Sequence, residues 1–498
     1  MTSGESFERG ALLGASRRFA GPLLVAVALF FRLPLLLQPF FTSDAAITGL
    51  QGLHMLRGEF SRWLWERPYQ SSLEPAIAAV FEKLLGANLL AIAAGPVLEE
   101  LLVCWLLHRL LSRYVGDWPA AIACLPVALP VMPLIAPVIF GTRALVGLVA
   151  IAAVVLADRA ESIAGFSLAA AALVFCLFLD LYALQLVPPL LLLIVLPAHK
   201  RGRLAAVIAG AAAAAAAVAA LRIGADSSIL GQGLHLPFNA KLALLFRVCL
   251  PVALGSYWHR LDATAMNGGG LPGEGLRILG AVALLAGIAS GALLWFRRSL
   301  PLAVRRMGLC GALAAAGSVA AFLVSGLSQD LWSSRYLVAA LWAAPLALAP
   351  AAHLLGAGRL LLGLIPWLAS ATIAACVALE IPASLRPGPL DGLSPDEVAL
   401  RDFLRNRGVR AGTAQYWLSY RLTYLFGERP IIVPINQEED RYPPYRDLFR
   451  SAGRLAYVFH PSQSSVRIGP VRQMLEGSGK HIVEEARFGP YTALVVER

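Results

Sequence analysis

The sequence predicts a polytopic α-helical membrane protein that carries a small C-terminal α/β domain. Three observations lead to this fold class. The 498 residues are 58% hydrophobic and only 15% charged, with a mean hydropathy of +0.67. Apolar runs near the ~18 residues that cross a bilayer recur between residues 19 and 381. From about residue 385 these runs stop, and short apolar and polar segments alternate.

The apolar runs predict about eleven transmembrane helices. The first, 19–40, follows Arg17 and Arg18, which predicts a cytoplasmic start and a retained anchor. The other predicted spans are 86–107, 118–136, 139–157, 163–180, 181–198, 204–221, 276–296, 307–327, 336–354 and 360–381. Loops on the predicted cytoplasmic side are basic: His108–Arg113, His199–Arg203, Arg297–Arg306 and Arg359. We therefore expect a transmembrane domain over 1–384, with external loops at 41–75 and 222–275, and a periplasmic domain over 385–498.

The charge and the cysteines exclude several classes of protein. Much of the net charge of +11 lies in short loops between apolar runs, where it orients a membrane protein, so no nucleic-acid partner is expected. The six cysteines lie in apolar surroundings at spacings that match no metal site, and we interpret them as small core residues.

The tail has its own helix and strand signals. Ser394-Pro-Asp-Glu397 is typical of a helix start, with a capping residue, Pro at the first position and acids in the first turn. A helix over 417–426, a strand over 429–434 and a terminal hairpin over 481–497 are also predicted. This alternation favours a small α/β domain.

Asp44 is the leading candidate for chemistry. It lies just beyond the first predicted span, at the outer boundary of the membrane, where a carboxylate can act as a base. The alternative is a cap, in which Ser43 or Asp44 begins a helix over 45–57. The segment that follows contains Trp63, Trp65 and Tyr69, which favour the headgroup layer.

The first loop has an acid after the first span, a Gly-Glu pair, a Tyr-Gln turn and a Leu-Glu pair: Asp44, Gly58-Glu59, Tyr69-Gln70 and Leu73-Glu74. This pattern resembles the first loop of the GT-C superfamily, the membrane glycosyltransferases that use polyprenyl-phosphate-linked sugars and include protein O-mannosyltransferases and aminoarabinose transferases. The pair Arg335-Tyr336 resembles a recurring Arg-Tyr pair of the superfamily, and the tail segment 415–430 resembles the external domain of bacterial members.

The chain departs from the superfamily in one respect. Many relatives have a second acid or a histidine directly after the first Asp, where this chain has Ala45, and the first loop contains no Asp-x-Asp pair. This fits a monophosphate donor that needs no metal, and it fits an inactive member equally well. We therefore predict no metal and no cofactor.

The resemblance implies how the candidate residues act. Asp44 would be the general base. Glu59 and Glu74 would support the loop or bind sugar hydroxyls, and Tyr69 would bind the substrate or its phosphate. Cations would stabilise the departing phosphate. The predicted cations are Arg143, Lys241, Arg260 and Arg335. Tyr336, next to Arg335, is predicted to bind the substrate or its phosphate with them. Arg57, Arg62, Arg67 and Arg247 are further candidate cations, and of these Arg62 and Arg67 are interpreted as solvated or as contacts to lipid headgroups.

Other polar residues have simpler interpretations. Glu99 and Glu100 fall inside the second predicted span, on the wrong side for the proposed site. Asp180 and Glu380 are interpreted as boundary residues. His235, His259 and Asp262 have no ligand spacing.

The sequence thus predicts an inverting glycosyltransferase of the bacterial inner membrane. It would move a sugar from a polyprenyl-phosphate donor to an extracytoplasmic glycan, lipid or protein, with membrane lipid as a further partner. Two alternatives stay open: a transporter, for which internal repeats would be expected, and a non-catalytic protein that keeps the fold.

Overall fold

A computed structural model of the chain describes residues 19–33, 36, 41–129, 143–196, 201–223, 236–253, 274–326, 328–356, 392–461 and 467–497. The predicted span 360–381, the residues Arg260 and Glu380 and the predicted domain boundary at 384/385 lie outside this range. The described residues form two compact units. The first unit contains the described residues within 19–33, 96–129 and 143–356, and the second contains residue 36 and the described residues within 41–95 and 392–497.

The first unit is helical. Its helices are Phe19–Leu33, the part of Leu89–Val115 from residue 96 onward, Asp117–Ala128, Ala144–Arg159, Ile163–Leu179, Val187–Val195, Arg201–Leu221, Phe238–Leu244, Leu250–Ala253, Glu274–Leu293, Leu302–Val324 and Val338–Gly356. Five helical segments in the described residues are long and apolar enough to cross a membrane: Leu89–Val115, Gly202–Leu221, Leu279–Phe296, Leu302–Val324 and Ser333–Leu355. The prediction of a helical membrane protein is confirmed, and the count of eleven spans stays a prediction.

Small residues allow these helices to approach closely. A Cβ atom on Gly311 would lie 2.3 Å from the backbone nitrogen of Ala347, and one on Gly308 would lie 2.4 Å from Cγ of Pro350. The helices Leu302–Val324 and Val338–Gly356 therefore touch through their backbones, as is common where apolar helices pack without a hydrophobic driving force.

A buried ion pair links two helices of the first unit. Arg32 Nη2 lies 3.3 Å from Glu100 Oε2, and both side chains are fully buried. Trp342 Nε1 donates a hydrogen bond of 3.1 Å to Glu100 Oε1. Arg32 also donates to the carbonyl of Val127, which is 2.9 Å away. Glu100 is therefore part of the packing, because a buried carboxylate requires a cation and hydrogen-bond donors.

The second unit begins with the first loop. The helix Ser43–Leu56 is followed by a short antiparallel hairpin, β1 (Trp63–Leu64) and β2 (Arg67–Ser71), and by the helix Leu73–Leu85. The hairpin register places Leu64 opposite Arg67. Arg67, the first residue of β2, contacts Asp44 on the helix Ser43–Leu56.

The rest of the second unit is a mixed sheet with helices. Its strands are β3 (Ala411–Ala414), β4 (Ile431–Pro434), β5 (Arg454–Phe459), β6 (His481–Phe488) and β7 (Tyr491–Glu497), in the order β4-β3-β5-β7-β6. Strands β3, β4 and β5 are parallel, and β7 is antiparallel to β5 and β6. The helices are Pro395–Asn406, Tyr416–Leu425, Pro443–Ser451 and Ile468–Gly477. The predicted signal at Ser394 is a complete capping box with Glu397.

The helix Tyr416–Leu425 packs on the first loop. A Cβ atom on Gly49 would lie 2.6 Å from Cε2 of Tyr424, so a larger residue at this position would separate the two helices. Tyr424 also donates a hydrogen bond of 2.9 Å to Glu82 Oε1, on the helix Leu73–Leu85. The loop and the sheet domain therefore form one compact unit.

Candidate active site

Asp44 lies in the first turn of the helix Ser43–Leu56, where a carboxylate is favoured by the helix dipole. The N-cap residue is Thr42, so the prediction that Ser43 or Asp44 caps this helix is wrong. The Asp44 side chain keeps 19% of its surface exposed. A carboxylate in this position is held by its surroundings and can still be reached.

Arg67 is the cation beside Asp44. Its Nη2 atom lies 3.4 Å from Asp44 Oδ1, and Nη1 donates to the hydroxyl of Tyr69. Burial opposes the charge on Arg67, but Tyr69, Asp44 and Tyr416 outweigh it and raise the pKa of the guanidinium above its ordinary value. Of the two interpretations of Arg67, the solvated one is wrong, because its guanidinium contacts Asp44 and Tyr69.

Tyr416 is the second partner of Asp44. Its hydroxyl donates a hydrogen bond of 2.6 Å to Asp44 Oδ1. The Arg441 guanidinium lies 5.3 Å from the centre of the Tyr416 ring, and its Nε atom is 3.4 Å from the hydroxyl. Burial and the neighbouring carboxylate raise the pKa of Tyr416 to about 12, so its hydroxyl keeps its proton. No sequence pattern marks Tyr416 or Arg441 as a site residue, although Tyr416 lies in the segment 415–430 that carries the resemblance.

A second cluster surrounds His54, near the end of the same helix. His54 Nδ1 is 2.8 Å from Glu59 Oε2, and Nε2 is 2.8 Å from Glu428 Oε1. Tyr445 donates to the same Glu428 oxygen at 2.7 Å. Tyr442 donates to Glu59 Oε2 at 2.7 Å. The predicted site residue Glu59 therefore has two partners within the protein.

The charges of this cluster are coupled. Burial lowers the pKa of His54, but hydrogen bonds to Glu428 and Glu59 outweigh it, so the net shift is upward. Burial opposes the charge of Glu428, but hydrogen bonds from His54, Arg57 and Tyr445 lower the pKa of this carboxyl to about 2. The cluster thus favours a protonated histidine between ionised carboxylates.

Glu82 is a buried carboxyl that no sequence motif marks. Its Oε1 atom accepts from Tyr424, and Oε2 has no hydrogen-bond partner among the described residues. Burial raises the pKa of Glu82 to about 8. Gly52 explains how the carboxyl fits, because a Cβ atom there would lie 2.7 Å from Glu82 Oε2. The predicted site residue Glu74 is also buried, in the first turn of the same helix, Leu73–Leu85.

Three predicted residues meet in the first unit. Arg143 Nε lies 3.4 Å from Asp180 Oδ2, and both side chains are almost completely buried. The Arg143 guanidinium lies 5.2 Å from the ring centre of Tyr336 and 5.3 Å from that of Tyr182. Arg335 is 5.2 Å from the Tyr336 ring centre and donates to its hydroxyl at 3.2 Å. The structure thus brings Arg143, Arg335 and Tyr336 together in an arginine–tyrosine cluster.

Lys241 has a local structural explanation. Its side chain is buried, and Nζ donates to the carbonyls of Ser325 at 2.7 Å and Leu323 at 3.3 Å. These carbonyls end the helix Leu302–Val324, where a cation is favoured. No group of three or more His, Cys, Asp or Glu residues that could hold a metal occurs among the described residues.

Comparison with known proteins connects this geometry to a fold. No family model matches the sequence, and no curated protein matches it significantly. A crystal structure of ArnT from Cupriavidus metallidurans bound to undecaprenyl phosphate matches with a TM-score of 0.54 at 14% identity, covering 95% of this chain and 97% of that one. The chain has a GT-C fold. The resemblance found in the sequence is confirmed at the level of the fold.

Two further structures were found with lower scores. ArnT from Cupriavidus metallidurans in the apo state has a TM-score of 0.46 at 13% identity, covering 95% of this chain and 97% of that one. The archaeal oligosaccharyltransferase AglB from Archaeoglobus fulgidus, in complex with an inhibitory peptide and a dolichol-phosphate, has a TM-score of 0.45 at 14% identity, covering 89% of this chain and 69% of that one.

Proposed function

We propose that this chain is an inverting glycosyltransferase that moves a sugar from a polyprenyl-phosphate donor to an extracytoplasmic acceptor. The observation that carries the proposal is the partly exposed pair of Asp44 and Arg67, in a chain with a GT-C fold. A reachable base beside a fixed cation suits this reaction, because an acceptor must lose a proton while a phosphate gains charge. The ArnT structure bound to undecaprenyl phosphate supports the class of donor.

Each residue of the pair has one task. Asp44 takes the proton of the acceptor hydroxyl, whose oxygen attacks the anomeric carbon from the side opposite the phosphate. The bond between that carbon and the phosphate oxygen breaks, and its electron pair leaves with the polyprenyl phosphate. Arg67 offsets the charge on this leaving group, and its fork of donors suits phosphate oxygens. A monophosphate donor needs no metal for these steps.

The remaining predicted residues belong to the same proposal. Tyr69 holds Arg67, and Glu59 and Glu74 shape the loop. Arg335, Tyr336 and Arg260 are proposed to contact the donor. Arg143 and Lys241 are buried and held by Asp180 and by backbone carbonyls, and they are proposed to support the packing of the helices. We place the site and the domain 385–498 on the periplasmic face of a bacterial inner membrane, with eleven spans. The acceptor is a glycan, a lipid or a protein.

The direct test is transfer by the purified protein in nanodiscs. A panel of undecaprenyl-phosphate sugars carrying labelled sugars would be offered with an acceptor fraction from bacterial cell envelopes. We expect label in the acceptor with inverted anomeric configuration, and loss of transfer in Asp44→Asn. Asp447→Asn is the matched control, because Asp447 is 73% exposed and pairs only with the neighbouring Arg450 among the described residues. Folded wild-type protein that transfers no sugar from any donor would contradict the proposal.

A further inference from the structure

Asp44 lies at the carboxyl end of the parallel strands in the C-terminal sheet. Ligands of open α/β sheets bind at this end. Tyr416 follows directly after β3, at the carboxyl end of the parallel strands β3, β4 and β5. Strand β3 lies between β4 and β5, so the chain order changes direction there. Open α/β sheets hold their ligands at this kind of switch point. The Tyr416 hydroxyl reaches Asp44 from that end, with an oxygen–oxygen distance of 2.6 Å.

We propose that Tyr416 is a positioning residue for Asp44, so that the C-terminal domain supplies part of the active site. This inference rests on the proposed function, because it assigns Tyr416 a task in the reaction of Asp44. It goes beyond that proposal by assigning part of the site to a residue 372 positions away along the chain.

The backbone around Tyr416 is fixed to the helix that carries Asp44. Ser43 donates its hydroxyl hydrogen to the carbonyl of Tyr416, and the backbone N–H of Arg421 donates to the Ser43 oxygen at 3.3 Å. Ser43, directly before Asp44, therefore joins its own helix to both the first and the second turn of the helix Tyr416–Leu425. A shift of the tail would move the Tyr416 hydroxyl away from the carboxylate.

The direction of the Tyr416 hydroxyl is also fixed. Arg441 Nε lies 3.4 Å from the hydroxyl oxygen, within reach to donate to it, and the hydroxyl hydrogen then points to Asp44. Arg67 approaches the same carboxylate oxygen of Asp44. One side of the base is therefore held by a tyrosine and an arginine. A hydrogen bond donated to a carboxylate favours its charged form, which is the form that accepts a proton.

The helix Tyr416–Leu425 contains its own control. Tyr424 also donates its hydroxyl to a carboxyl of the first loop, Glu82 Oε1 at 2.9 Å. Tyr416→Phe and Tyr424→Phe each remove one hydroxyl between the same two parts of the second unit. A role of Tyr416 in docking alone would make the two variants behave alike.

The experiment is an infrared titration of the carboxyl bands in purified protein, with Asp44→Asn to assign the band of Asp44. In Tyr416→Phe we expect the titration midpoint of this band to rise by about one pH unit, because a hydrogen bond to a charged group is lost. Tyr424→Phe should leave it unchanged. Equal midpoints in wild type and Tyr416→Phe would overturn the inference. If Tyr416→Phe does not fold, Arg441→Gln serves instead. We expect a smaller rise of the Asp44 midpoint in this variant, and an unchanged midpoint would overturn the inference.

Kinetics then separate this inference from the proposed function. In a transferring wild type, Tyr416→Phe should lower kcat about tenfold, with KM little changed, and move the acidic limb of the pH profile upward. An unchanged pH profile would overturn the inference while the proposed function stands. The Asp44 midpoint could rise in Tyr416→Phe while the wild type transfers no sugar. That result would support the contact between Tyr416 and Asp44 and contradict the proposed function.

Discussion

Two arginine–aspartate pairs in this protein have the same separation and opposite environments. Arg67 and Asp44, in the second unit, are 3.4 Å apart with 21% and 19% of their side chains exposed. Arg143 and Asp180, in the first unit, are also 3.4 Å apart, with only 5% and 2% exposed. The distance alone does not distinguish a structural pair from a functional one.

Access to the pair makes the difference. The buried pair of Arg143 and Asp180 is enclosed by tyrosine rings, so its charges offset each other and hold the helices together. The pair of Asp44 and Arg67 keeps part of both side chains exposed, and the proposed function requires an acceptor hydroxyl and a phosphate to reach it there. We therefore expect substitutions at Asp44 to affect chemistry and substitutions at Asp180 to affect stability.

The largest expected effect is that of Asp44→Asn on the rate. Removal of a general base should lower kcat about 10²- to 10⁴-fold, while the melting temperature in detergent stays close to that of wild type. Transfer assays and thermal melts on the same preparation check both parts. A rate close to wild type would show that Asp44 is not the base.

Asp180→Asn should give the opposite result. Leaving Arg143 buried without its anion should cost about 3 to 5 kcal/mol of stability. Thermal melts in detergent would show the loss, and any folded fraction should retain transfer activity. Replacing both residues, as in Arg143→Met with Asp180→Leu, should recover much of the stability. An unchanged melting temperature in Asp180→Asn would remove the distinction between the two pairs.

The histidine cluster predicts a pH dependence in the second unit. The folded pKa of His54 is raised above 6.5, so its stabilising contribution is complete below 6.5 and is lost as the pH rises through the folded value. His54→Gln should cost about 1 to 3 kcal/mol at about pH 6 and much less at alkaline pH. Thermal melts of both proteins across this range check it. An equal cost at every pH would contradict the charged histidine.

Glu82 predicts a smaller effect at lower pH. Its folded pKa of about 8 lies above its ordinary value of 4.5, so the folded state holds the proton more tightly and stability falls as the pH rises from 4.5 to about 8. Between about pH 5 and 6.5 the contribution of His54 is constant. In that window Glu82→Gln should reduce the fall seen in wild type. Melting temperatures that fall equally with pH in both proteins would disprove the raised pKa of Glu82.

The sequence predicted the class of fold and the first residue of the site, but not its partners. The long apolar runs, and the change to short alternating segments near residue 385, are features of local composition. They can therefore be recognised in the sequence alone. Asp44 stands out because it directly follows an apolar run. Its partner Tyr416 is 372 positions away, and no local pattern relates the two. Only the packing of the tail helix on the loop helix joins them.

Arg67 shows a second limit of sequence patterns. A cation in a polar loop is usually solvated, and the sequence alone gave that interpretation. The hairpin of β1 and β2 has an irregular register, which places Leu64 opposite Arg67. Arg67 contacts Asp44, which lies 23 positions earlier in the chain, and the spacing of residues does not reveal this contact.

The most direct test of the central claim is the position of the donor phosphate. A cryo-electron microscopy structure of Asp44→Asn with a bound polyprenyl-phosphate sugar would show it. The proposal predicts phosphate oxygens in contact with the Arg67 guanidinium and the anomeric carbon facing residue 44. A donor bound with no contact to Arg67, and with its anomeric carbon turned away from residue 44, would contradict it.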